Sequence, residues 1–119
     1  MKVGFVVEGF NDETLVKQLF PDSVVVVAKG TRVNNRVKQE IQSALDVCDQ
    51  VFLLTDPDPA GDWLANKVQE TFPHLTRIPI APQKASCYRH HKWKIGVEHC
   101  DPSYLLSQIS LYLNMGVTT

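Results

Sequence analysis

The chain has 119 residues, 44% of them hydrophobic, and a formal net charge of −1. That is the size and composition of one globular domain, not of a disordered chain. The near-neutral charge argues against a protein that grips long nucleic acid through a global basic excess.

The longest apolar run, Val24 to Ala28, is far too short to span a bilayer, and the start of the chain does not read as a signal peptide. A soluble, cytoplasmic protein is the expectation, with no membrane role. Cys48, Cys87 and Cys100 are odd in number and show no CxxC spacing, which argues against a disulfide framework or a structural zinc site.

Lys2 to Val7 reads as a buried strand that ends in the turn Glu8-Gly9. Asn11 to Phe20 has helical periodicity, with Leu15, Val16, Leu19 and Phe20 on one face, Asn11 as N-cap and Pro21 beyond the stop. Ser23 to Ala28 is a second strand. Val33 to Val47 is a second helix, with Val37, Ile41, Ala44 and Leu45 as its apolar stripe. Gln50 to Thr55 is a third strand, and Ala60 to Phe72 a third helix that buries Trp63, Leu64, Val68 and Phe72. Thr76 to Ile80 is a short fourth strand, weakened by Pro79. Ser103 to Met115 is the last helix, with Leu105, Leu106, Ile109, Tyr112 and Leu113 inside and Gly116 at its end. Strands this continuously apolar are covered on both faces, and their alternation with helices implies a mostly parallel sheet with right-handed crossovers.

Ala81 to Pro102 shows no convincing periodicity and reads as a long loop, either functional or poorly ordered. Between Lys84 and Lys94 it carries Lys84, Arg89, Lys92 and Lys94, with His90 and His91 and no acid. These bases suit phosphates, and Trp93 is available to stack on a base; a solvated loop with Trp93 packed back is the plainer alternative. His90-His91 lacks a third ligand at usual metal spacing. Glu98 and His99 either enter a site or serve structure. Lys29-Gly30-Thr31-Arg32 lacks the full phosphate-loop pattern and reads best as a turn.

In a parallel α/β sheet the ligand site lies outside the carboxyl ends of the strands. The first strand delivers Glu8 there, and the third delivers Asp56 and Asp58. Each aspartate precedes a proline, which favours extended geometry and points both carboxylates to one side. Such carboxylates suit Mg²⁺, which keeps waters and is completed by substrate phosphates; Glu8 is alternatively a general acid or base. Taken singly, each has a structural reading: Asp58 before Pro59 is an ordinary N-cap, Asn11 and Asp12 suit a first helical turn, and Glu8 a strand end.

Glu8-Gly9 with Asp12, and Asp56-x-Asp58-x-x-Gly61 followed by Asp62, together resemble the Toprim family, the catalytic domain shared by topoisomerases, primases and certain nucleases. The two motifs lie about 50 residues apart, each between a strand and a helix. Lys94 to His99 is similar to the corresponding stretch of small bacterial Toprim proteins, among them the nuclease that matures 5S ribosomal RNA.

The resemblance implies a single Toprim-like domain over 1–119, with a four-stranded, mostly parallel sheet and helices on both faces. It implies Glu8 as general acid or base, Asp56 and Asp58 as Mg²⁺ ligands with Mn²⁺ as a substitute, Gly61 as the turn glycine, and Gly9, Asp12 and Asp62 as secondary positions. The tyrosine-bearing domain of topoisomerases and the flanking domains of primases are not in these 119 residues, and Tyr88, Tyr104 and Tyr112 have no motif context for a nucleophile.

The expected function is Mg²⁺-dependent phosphodiester chemistry on nucleic acid, RNA before DNA. Glu8, Asp56 and Asp58 form the metal and catalytic set, and Lys84, Arg89, Lys92 and Lys94 hold the substrate. The alternative is a non-catalytic metal-dependent module that binds nucleic acid or nucleotide and works with a larger protein partner.

Overall fold

A computed structural model describes residues 2–29 and 32–117. Four parallel strands form the central sheet: β1 (Val3–Val7), β2 (Val24–Val27), β3 (Gln50–Leu53) and β4 (Thr76–Arg77), in spatial order β2-β1-β3-β4. The register sets Phe5 beside both Val25 and Phe52, so β1 lies at the centre. Helices α1 (Phe10–Leu19), α2 (Asn35–Val47), α3 (Pro59–Thr71) and α4 (Pro102–Val117) cover the sheet.

Successive strand residues point to opposite faces, so two cores form. Phe5, Val7, Phe52 and Leu54 meet Val16 of α1 and Leu105 and Ile109 of α4. Val6, Val26, Val51 and Leu53 meet Val37 and Ile41 of α2 and Leu64 and Val68 of α3. This is the α/β arrangement that the near-continuous valine strands imply.

Local details differ from the sequence reading. α1 starts at Phe10, with Gly9 rather than Asn11 as N-cap, because Asp12 in the first turn accepts the Gly9 amide at 3.1 Å. β4 stops at Arg77, and the Ile78 amide donates to the Leu53 carbonyl just before Pro79 removes the next donor. Trp63 and Leu106, placed inside by periodicity, are 47% and 41% exposed. α4 runs past Gly116 to Val117. Gly30 and Thr31, within the turn weighed for phosphate, lie outside the described residues.

The largest difference is in the segment read as a loop. It contains an antiparallel hairpin, β5 (Ser86–Arg89) and β6 (Lys92–Ile95), between two short 3₁₀ turns, Pro82–Ala85 and Val97–His99. His90 and His91 form its two-residue turn at φ 53° and 61°. Positive φ at both central residues is the type I′ habit that matches strand twist, and Asn-Gly is its usual signal. Two histidines hide that signal. Among the described residues no helix is long and apolar enough to cross a membrane.

Candidate functional site

Sheet order places the ends of β1 and β3 side by side at the carboxyl edge. Glu8 leaves β1 there, and its Oε2 accepts the backbone amide of Asp56 at 2.6 Å. Asp56 Oδ1 in turn accepts the amide of Val97 at 2.7 Å. Three separate segments are thereby tied together around two carboxylates. Glu8, Gly9, Asp12, Asp56, Ile95, Gly96 and Glu98 line a cleft of 230 Å³. A larger depression of 530 Å³ lies between β2 and α2, away from these acids.

Asp58 is the N-cap of α3, and its Oδ1 accepts the Gly61 amide at 2.7 Å. A cap of this kind is worth ~1 kcal/mol. The structural reading of Asp58 is therefore realised, with one oxygen committed and the other left over. Its charge is still close enough to raise the pKa of Glu8. Asp62 turns away from the cleft to pair with Arg77 at 2.7 Å. Arg77 also donates to the Asp56 carbonyl at 2.9 Å, which braces the loop that carries the site.

Crowded carboxylates hold protons. Burial, reinforced by Asp56 and Asp58, pushes Glu8 up to about 8. Burial, together with Asp56, pushes Asp12, 6% exposed, up to about 6. Both groups bind protons more tightly in the folded than in the unfolded chain. Their contribution to stability is full below the ordinary carboxylate range and is lost as pH rises, through about 6 for Asp12 and about 8 for Glu8. The Tm of the metal-free protein is expected to fall between about pH 6 and about pH 8. Thermal melts in chelator check this, and a flat or rising Tm would mean that solvent screens the cluster.

The donor set suits a hard cation, since every polar side chain that lines the cleft is a carboxylate, with Ile95 the one apolar side chain beside them. Among the described residues, no three carboxylate, imidazole or thiol groups converge to enclose a metal by themselves. An ion here would keep waters or take substrate oxygens, which is how Mg²⁺ is held.

The structure thus gathers Glu8, Gly9, Asp12 and Asp56 in the cleft, puts Asp58 and Gly61 at the start of α3 beside it, and directs Asp62 elsewhere. Lys84 lies 6.0 Å from the Tyr104 ring centroid, while Arg89, Lys92 and Lys94 are exposed on the hairpin. Tyr104 accepts the Ala81 amide at 3.0 Å, a structural role. Cys100 is buried, with its thiol pushed up to about 11, so it is unreactive.

Sequence reasoning missed Arg77, Gly96 and the Val97 amide, and left Glu98 open. A backbone amide carries no residue signal. Ser-Cys-Tyr-Arg and Lys-Trp-Lys-Ile do alternate with period two, and that alternation was the available clue to the hairpin.

The sequence profile described as the Toprim domain matches residues 3–86. Among solved structures the fold is similar to that of a small TOPRIM domain protein from Bacillus stearothermophilus, with a TM-score of 0.68 at 20% identity, covering 94% of this chain and 86% of that one. Curated proteins give no sequence match.

Proposed function

Since this chain belongs to the Toprim domain family, we propose that it carries out Mg²⁺-dependent phosphodiester chemistry on nucleic acid, as an RNA-directed nuclease of the cytoplasm that works as one Toprim unit over 1–119. The observation that carries this reading is the cleft itself: Glu8, Asp12, Asp56 and Glu98 crowd the carboxyl edge of the sheet, and among the described residues that line it there is no lysine or arginine; His99 stands 3.4 Å from Glu98. Repulsion of that kind is what a divalent ion relieves.

Asp56 and the uncommitted oxygen of Asp58 would hold the ion, with Mn²⁺ as a substitute. Bound there, it would neutralise phosphate charge and help orient an in-line attack. Glu8 either shares the ion or moves a proton at the attacking or leaving oxygen; a carboxyl titrating near neutrality suits that task. Asp12 and Glu98 add negative charge at the rim, and Arg77 keeps the Asp56 loop in place. Lys84, Arg89, Lys92 and Lys94 would engage phosphates outside the cleft. The preference for RNA follows the likeness of Lys94 to His99 to the nuclease that matures 5S ribosomal RNA, a stretch beyond the matched residues 3–86.

Titration calorimetry with Mg²⁺, then Mn²⁺, on the wild type and on Asp56→Asn/Asp58→Asn tests this with and without a short structured RNA. The expected result is metal binding that RNA strengthens and that the double variant loses. No binding even with RNA would remove the metal-dependent reading.

A second reading rests on the same cleft: among the described residues the carboxylates leave positions on an ion open, and a module that fills them with nucleic acid without turnover would work with a larger partner. RNA cleavage by the wild-type chain with Mg²⁺, absent in the double variant, decides for the enzyme.

A further inference from the structure

The hairpin has two chemically distinct faces. Its register pairs Ser86 with Ile95, Cys87 with Lys94, Tyr88 with Trp93 and Arg89 with Lys92. Alternation along each strand puts Ser86, Tyr88, Trp93 and Ile95 on one face and Cys87, Arg89, Lys92 and Lys94 on the other. One face is aromatic and apolar; the other is basic.

A cross-strand aromatic pair ordinarily packs on a core. This one does not. The Tyr88 and Trp93 rings lie 5.3 Å apart at 54°, yet the residues are 56% and 70% exposed, and Ile95 is 41% exposed.

The position of the aromatic face is equally informative. Ile95 and Gly96 are part of the cleft wall beside Glu8 and Asp56. The Gly96 amide closes the hairpin base on the Ala85 carbonyl at 2.9 Å, and the next amide, Val97, is bound to Asp56. The aromatic face therefore begins at the acidic cleft and leads away from it, with Trp93 about 7 Å along the strand from Ile95. That is within reach of the nucleotide next to a phosphate held in the cleft.

An aromatic side chain can accept a base only if the base offers its face, and the bases of a duplex are already stacked on each other. A two-stranded ribbon made for a duplex groove would turn its basic face inward to the site. Here the apolar face adjoins the site and the basic face is turned to the other side, as suits a neighbouring stretch of polyanion.

We propose that the Tyr88–Trp93 face is a stacking platform for an unpaired base flanking the reacting phosphate, so that the substrate is single-stranded at the cleft. This rests on the metal-dependent reading of the cleft given above and adds the strandedness of the substrate.

Fluorescence anisotropy in chelator, where no metal-dependent cleavage occurs, tests it with labelled oligonucleotides of about 12 nucleotides. Single strands and duplexes are compared, each as RNA and DNA. Trp93→Ala and Tyr88→Ala are expected to weaken single-strand binding roughly 5- to 100-fold and to leave duplex binding unchanged. Trp93→Phe, which keeps a ring, should retain most of the affinity. Lys92→Gln/Lys94→Gln should weaken single strands and duplexes alike and lower the salt slope. The RNA and DNA arms tell which polymer supplies the base.

Trp93→Ala binding single strands as well as wild type would overturn the proposal, as would an equal loss for single strand and duplex. Aromatic-dependent single-strand binding by a protein that cleaves nothing would refute the nuclease but leave the platform standing. Metal-dependent cleavage indifferent to Trp93→Ala would do the reverse.

Discussion

Asp56→Asn is expected to reduce metal-dependent cleavage roughly 10³-fold or more, while raising the Tm of the metal-free protein at about pH 8 by a few degrees. The two effects share one cause. The Asp56 carboxylate raises the pKa values of both Glu8 and Asp12 and so keeps the site under repulsion. Asparagine removes that charge but still offers Oδ1 to the Val97 amide, which Asp56 now holds at 2.7 Å. The bond that anchors the Val97 turn is kept, Glu8 and Asp12 relax toward ordinary carboxyls, and less stability is lost as pH rises. On the proposed function Asp56 would help hold the ion, and the variant would keep an amide oxygen but not the charge that attracts Mg²⁺. Melts in chelator and cleavage assays with Mg²⁺, run on the same preparation, check both halves. A variant that melts lower, or still cleaves, would show that Asp56 is structural.

Gly61→Ala is expected to cost about 2–4 kcal/mol and to remove metal binding along with it. A Cβ built on Gly61 would sit 1.9 Å from the Asp56 carbonyl oxygen and under 3 Å from the Asp56 carbonyl carbon and amide nitrogen. These are backbone atoms, so no side-chain rotation relieves the clash. The loop has to move, and it carries with it the amide that Asp58 caps and the carbonyl that Arg77 braces. Gly9 makes an informative contrast, because a Cβ there meets only Asp12 Oδ2, at 3.9 Å, and its φ of −138° suits any residue. Gly9→Ala should therefore melt close to wild type. Denaturant unfolding of the two variants side by side checks the prediction, and equal stability would mean that the Asp56 loop is pliable.

The close approach of Gly61 to the Asp56 backbone shows where the sequence was and was not explicit. Glycine at the fourth position after Asp56-Pro57 was legible as a turn residue, but the atom it must avoid was not. That atom is fixed only when the loop folds back over the first turn of α3.

The sequence by itself determined the layered architecture. Unbroken valine and leucine runs can be satisfied only between two helical layers, and the stripe Val37, Ile41 and Ala44 and the Asp58-Pro59 cap state helical faces and starts through local periodicity and chemistry. It also determined that Glu8 and Asp56 reach the same edge, because both end parallel strands.

Tertiary structure alone decided what completes and what leaves that cleft. Asp62, the residue after Gly61, went to Arg77, and Glu98, some 40 residues after Asp56, came in with the Val97 amide. Such partners are chosen by strand order and by backbone groups that every residue carries, so no residue type announces them. The hairpin belongs to the same class: its alternation is local, but its aromatic face acquires a direction only because Gly96 and Val97 dock beside Asp56.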